Sequence, residues 1–369
     1  CGTGTYRGDH EGCKDLLADD QVAKCKYHEK REGFILKKTI AVCDSNERYA
    51  MMLSDAIRGR IGEIFKVITF TETDVLSTYA LAEGVCQLVI SSTSAEELKQ
   101  TEGIDDLIFL GNEQESSDND RCMICRYQCC TNIVSAIMDH LAERDLIMPE
   151  GIGNGKKLKV IGVYSPVKRC LQTTFSLALG EQLGVSSRVL YMNFEPFSGF
   201  EGLEMEKGDT GREYDITDLL YYFDCARDKL PMKLSAMVRT INGMDFLPPT
   251  ASYFDTERSG EKWVELFKAI EKSSLYDYLI LDLSEAVQGL LSILMYCTKI
   301  FTIIRNDRIA CAKVNDYEKW ILQHEAGEVV AKTVKCELPI FHDIPEGFEM
   351  LTHGELAGFI RTLIAGEAA

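Results

Sequence analysis

The feature that most constrains this 369-residue chain is an alternation of two hydrophobic periods, run through twice. In the first pass, short apolar runs (TIAVCD from Thr39, FKVITF, VCQLVISS, LIFLG and CMICRY) are separated by stretches of helical spacing. Examples are NERYAMMLSDAIRGRIGEI, VLSTYALAEG, SAEELKQ and TNIVSAIMDHLAER. Short continuous apolar runs read as strands covered on both faces, and helices between them supply the cover. That order predicts a doubly wound parallel sheet. The pass ends at MPEGIGNGKK, where proline and glycines cluster. A second pass follows, with KVIGVYS, RVLYMNFE, GMDFLPP, YDYLILDL, KIFTIIRN and KTVKCELP as strands. Its clearest helices are TTFSLALGEQLG, closed by Gly184, EKWVELFKAIEKSS and DRIACAKVNDYEKWILQ. The sequence therefore predicts an α/β protein of two doubly wound parallel-sheet domains. A polar arm occupies 1–37, one domain 38–146, a linker 147–156 and a larger domain 157–369.

Charge narrows the function classes. Lysine and arginine total 40 against 58 aspartates and glutamates, a formal charge of −18. Such a surface repels phosphate backbones and anionic lipid, so no nucleic-acid partner is expected. No apolar run reaches the ~20 residues of a spanning helix, and no basic-then-apolar leader stands at the start. The tail ELAGFIRTLIAGEAA carries one arginine and two glutamates, so it reads as a core-packing helix and not as a basic membrane anchor. A cytoplasmic protein without direct membrane insertion is the expectation. Fourteen cysteines are many. Those in strand runs, Cys43, Cys86 and Cys297, read as small core residues of a reduced protein. Cys122, Cys125, Cys129 and Cys130 suggest a metal knuckle, but a strand places Cys122 and Cys125 on opposite faces, which argues against one.

Ligands of open parallel sheets sit at the carboxyl ends of the strands. After the first strand of the larger domain the chain reads VIGVYSPVKRCLQTTFSLALGEQL, with Thr173 and Thr174 opening a helix beyond an eight-residue loop. Free backbone N–H groups and the helix dipole favour a phosphate there, and the first threonine of such a pair supplies a hydroxyl to Mg²⁺. The stretch resembles the deviant Walker A loop of the MinD/ParA ATPase superfamily, KGGVGKTT. The superfamily's intermolecular lysine falls on Val167, its phosphate lysine on Gln172, and its glycines on Lys168, Arg169 and Leu171; the threonines are kept. Further on, YMNFEPF is similar to switch I, with Asn193 and Glu195 at its two acidic places. YDYLILDL resembles the Walker B strand, where Asp282 would hold a Mg²⁺ water; a helix-capping aspartate suits the same place.

The resemblance implies ATP and Mg²⁺ as cofactors, bound by Lys168, Arg169, Cys170, Leu171, Gln172, Thr173 and Thr174, with the metal on Thr173 and Asp282. It implies catalytic roles for Glu195, as the residue orienting water, and for Asp282. By position, Arg305 and Pro339 are the candidate adenine contacts. Loss of the phosphate lysine removes preorganised charge, so binding is expected to outlast hydrolysis. The first domain resembles a response-regulator receiver reduced to Asp44 and Ser45 in its acidic pair. Its acceptor aspartate falls on Ser92, its switch hydroxyl on Gly111 and its lysine on Arg126. Without a carboxylate at Ser92 no acyl phosphate forms by the usual chemistry. The combination is similar to the TadZ/CpaE family of Tad (Flp) pilus assembly proteins. That likeness implies an ATP-sandwiched homodimer at the cell pole, which recruits other pilus proteins through the receiver-like part. A nucleotide-independent scaffold and a positioning ATPase for another cargo are the alternatives.

Overall fold

The computed structural model describes residues 38–62, 65–83, 86–92, 98, 101–111, 122–128, 130–143, 157–200, 214–249, 258–343 and 351–367. The arm at 1–37, most of SAEELKQ and nearly all of MPEGIGNGKK lie outside them. The chain divides into two compact units, Cys1–Ile152 and Gly153–Ala369.

In the first unit five parallel strands, β1 (Lys38–Cys43), β2 (Phe65–Phe70), β3 (Cys86–Ser91), β4 (Leu107–Gly111) and β5 (Cys122–Cys125), stand in the order β2-β1-β3-β4-β5. This is the flavodoxin-like order, which turns back at β1 and β3. Ile40, Ala41 and Val42 on β1 have no exposed surface, as a central strand covered on both faces requires. Helices α1 (Glu47–Ile61), α2 (Thr73–Glu83) and α3 (Cys130–Glu143) follow the period seen in the sequence. Asn46 starts α1 by accepting the Tyr49 N–H with its side chain.

The second unit holds β6 (Lys159–Tyr164), α4 (Gln172–Gly184), β7 (Val189–Asn193), α5 (Ile216–Cys225), α6 (Leu230–Met237), β8 (Arg239–Ile241), β9 (Met244–Leu247) and α7 (Gly260–Ser273). β10 (Tyr278–Asp282), α8 (Leu290–Tyr296), β11 (Lys299–Ile304), α9 (Arg308–Gln323), α10 (Gly327–Ala331), β12 (Thr333–Glu337) and α11 (Gly354–Glu367) complete it. The seven strands run β12-β11-β6-β10-β7-β9-β8, all parallel except β8, which returns antiparallel to β9. The tail forms α11, and its Leu356 and Ile360 join Phe175 and Leu179 of α4 in one core.

Two features depart from the sequence reading. The hairpin β8–β9 was not expected, although its Asn242-Gly243 turn, with both φ positive (48° and 83°), is the residue pair such hairpins favour. Gly184 does not close α4 as a left-handed cap. It stays helical, the cap is Val185 in right-handed geometry, and a Cβ at Gly184 would stand 2.8 Å from the Gly243 carbonyl oxygen. The glycine is there for close approach of two backbones.

Candidate functional site

Parallel register brings the site together. Asp282, the last residue of β10, stands level with Val163 of β6 and Asn193 of β7. The loop between β6 and α4 arches over this point. Three of its residues adopt left-handed backbone without being glycine: Lys168 (φ 65°), Arg169 (φ 50°) and Leu171 (φ 61°). These are the positions on which the resemblance places the glycines of a phosphate loop. L-residues in this region carry roughly 1–2 kcal/mol of strain apiece, so the loop holds a demanding shape without the residue that makes it easy. Ser165 pins its start, donating to the Ile303 carbonyl at 2.6 Å and accepting the Val167 N–H at 3.1 Å. Helix α4 begins without a side-chain cap, leaving the N–H groups of its first turn available to an anion.

Gln172 behaves otherwise than a phosphate ligand. Its amide turns inward, and both amide hydrogens are used: one goes to Asp282 Oδ1 at 2.6 Å, the other to the Leu283 carbonyl at 2.8 Å. Asp282 Oδ2 accepts from the Tyr191 hydroxyl at 3.0 Å and from Asn193 Nδ2 at 3.1 Å. Asn193 Nδ2 also donates to the Tyr191 hydroxyl at 3.1 Å, and its Oδ1 accepts the Glu195 N–H at 2.8 Å. Asp282 is wholly buried, and burial pushes its carboxyl up while the hydrogen bonds from Gln172, Thr173 and Tyr191 oppose the shift. Burial, then the neighbouring Asp282 charge, raises the Tyr191 phenol well above its usual value.

The mouth of the site is acidic. Lys168 Nζ lies 2.5 Å from Glu285 and 3.6 Å from Glu195. Burial lifts the Glu195 carboxyl despite Lys168. Glu285 moves the other way: burial would raise it, but the Lys168 hydrogen bond and charge hold it below the usual range. Arg169 and Leu171 are exposed, Cys170 is buried, and Thr174 is half-buried beside Thr173. Arg305 and Pro339 are both exposed, each just past a strand on the β11–β12 side of the sheet, and Arg305 pairs with Asp307 at 3.4 Å. Beside Pro166 a cavity of about 610 Å³ opens, walled by Tyr164, Tyr317 and Trp320. The structure thus gathers Lys168, Gln172, Thr173, Glu195 and Asp282 at one point, with Arg305 and Pro339 outside their hydrogen-bonded contacts. Tyr191 and Glu285 were missed; Tyr191 was detectable because it shares a strand face with Asn193 two residues on.

This set of groups does not fit Mg²⁺. The cation asks for six oxygens near 2.0–2.1 Å, whereas both oxygens of Asp282 already accept from Gln172, Tyr191 and Asn193. A polyphosphate fits better, because the loop's backbone and the uncapped start of α4 remain.

In the first unit, Asp44 is wholly buried at the end of β1. It accepts from Ser92 Oγ at 2.6 Å, the Asn46 N–H at 2.8 Å and Arg126 Nη2 at 2.9 Å. The Arg126 guanidinium also lies 4.6 Å from the centre of the Tyr49 ring. Among the described residues, no group of three histidines, cysteines or carboxylates is placed to hold a metal; Cys129 lies outside them.

No family model matches the chain, and no curated protein matches it by sequence. Solved structures do. A ParA family ATPase from Chlorobium tepidum aligns at 14% identity over 50% of this chain and 85% of its own, with a TM-score of 0.38. The MinD cell division protein of Aquifex aeolicus aligns at 16% over 49% and 70%, TM-score 0.36. An ATP complex of McdA from Cyanothece aligns at 17% over 50% and 71%, TM-score 0.38. At such scores the likeness adds no weight, and the α/β fold stands on strand order and register.

Proposed function

We propose that this chain is an ATP-binding localisation and assembly protein of a Tad/Flp-type pilus system, derived from a MinD/ParA-type ATPase and feeble in hydrolysis. In this reading ATP holds a homodimer at the cell pole. The domain at 38–146 then serves as a receiver-like contact module that recruits other pilus proteins. The observation that carries the proposal is the loop 165–171, which holds left-handed backbone at three non-glycine positions ahead of an uncapped helix. Strain of this kind persists where the surroundings impose it, typically at ligand sites. Weak turnover follows from charge. Gln172 is neutral and turned inward, and Lys168 is occupied by Glu195 and Glu285, so neither offers a free cation to a transferring phosphate and only the exposed Arg169 is left in the loop to do so. Asp44 is already occupied by Arg126, and a serine stands at the acceptor place, which suits contact and not phosphotransfer.

The same two lysine contacts favour a second reading, a scaffold that binds no nucleotide. Light scattering on a size-exclusion column separates the two, with nucleotide-stripped protein run with and without ATP and the 260 nm absorbance read on the peak. A monomer that becomes a dimer carrying ATP supports the proposal. A species unchanged by ATP, with no retained absorbance, makes the loop a relic and the protein a scaffold.

A further inference from the structure

We infer that Asp282 takes no divalent cation in this chain: with Gln172, Tyr191 and Asn193 it closes a metal-free hydrogen-bonded knot that holds the cradle loop in shape. Both hydrogens of the Gln172 amide are used, on Asp282 and on the Leu283 carbonyl. The Asn193 amide nitrogen lies 3.1 Å from both the Tyr191 hydroxyl and Asp282 Oδ2 and donates between them. The Tyr191 hydroxyl donates to Asp282 and accepts from Asn193. Among the described residues, no buried polar atom of these four side chains lacks a partner. A cation at Asp282 would meet the amide nitrogens of Gln172 and Asn193, which repel it, and would compete with a hydrogen-bond donor at each carboxylate oxygen. The second carboxylate in reach, Glu195, is shared with Lys168.

The knot also explains how the loop survives without glycines. It ties the first residue of α4, directly after the left-handed Leu171, to the ends of β10 and β7. Buried networks whose members are all satisfied fix one geometry, because any rearrangement strands a donor in low dielectric.

Only the nucleotide arm of the test rests on the proposed ATP binding. Thermal melts of the full chain are run with MgCl₂ and with EDTA, free Mn²⁺ is followed by electron paramagnetic resonance, and ATP affinity is measured calorimetrically in both buffers. The knot predicts equal melting temperatures, an undiminished Mn²⁺ signal and ATP affinities within about threefold of each other. Asp282→Asn, which sets an amide against the donors, should lower the melting temperature equally in both buffers. A melting temperature raised by MgCl₂, a Mn²⁺ signal quenched by the parent protein but not by Asp282→Asn, or ATP binding lost in EDTA would each overturn it. Should Asp282→Asn fail to fold, the parent's Mn²⁺ signal decides alone. If ATP binds in neither buffer, the nucleotide reading falls, while the Mn²⁺ and melting results still judge the knot.

Discussion

Single side chains set what this site can do, and the most telling is a buried carboxyl elsewhere in the same domain. Glu181 on α4 is wholly enclosed, and burial pushes its carboxyl from 4.5 to about 7, with Asn242 pulling the other way. A carboxyl whose value is higher in the folded state binds more protons when folded than when unfolded. Its contribution to stability is therefore whole below pH 4.5, declines as pH rises, and is lost above pH 7. The span corresponds to about 3 kcal/mol. Glu181→Gln mimics the protonated form at every pH. We expect it to melt close to the parent at pH 5 and several degrees higher at pH 8. Melting curves at both pH values check this, and a difference that does not change with pH would remove Glu181 as its source. Gln172 obeys the same physics from the other side: at 8% exposure, a neutral amide donating twice avoids the desolvation that a lysine there would meet.

At the scale of elements, backbone crossings govern how closely the loops around the site approach. Gly260 opens α7 and Gly289 precedes α8, and a Cβ on Gly289 would lie 2.2 Å from the Gly260 Cα. Gly289 also has φ +77°. Gly289→Ala joins backbone strain to overpacking, about 2–4 kcal/mol together. Gly199 shares the left-handed backbone, φ +74°, but has nothing within 4 Å of its missing Cβ. Gly199→Ala should therefore forfeit only the strain, about 1 kcal/mol, and denaturant titrations of the two variants separate the effects. The strands were legible because each apolar run is short and bounded. YDYLILDL and KIFTIIRN became β10 and β11 with ends shifted by two residues or fewer. Helices α5 and α6 were not resolved in the sequence, since that region mixes helical and loop character without a clean period. β8 is three residues long, too short for alternation to register. In the site, the residue types at the strand ends were readable, because parallel sheets collect ligands there. The inward turn of Gln172 was not. It depends on a partner 110 positions away in sequence, and no local pattern encodes which way an amide points.

The whole molecule is governed by its charge. At −18, the chain would have to gather a basic face against its own field to hold a nucleic acid, and a protein bound through six to ten phosphates loses about 10³–10⁵ in affinity between 50 and 200 mM salt. The lysine at the candidate site is already neutralised by Glu195 and Glu285, so Lys168 adds no net positive field there. Among the described residues no helix is long and apolar enough to cross a membrane. The terminal helix α11 spends Leu356 and Ile360 on the core it shares with α4, which leaves it no free apolar face along those residues for lipid. Co-sedimentation with duplex DNA and with anionic liposomes should therefore leave the full chain in the supernatant at physiological salt. Pelleting with DNA that weakens steeply as salt is raised would reveal a basic surface that this charge balance does not suggest, and would turn the reading toward a DNA-positioning ATPase. Should pelleting with liposomes draw α11 out of its core, the same experiment detects it as a fall in melting temperature on adding lipid; binding without that fall would point to another surface of the chain.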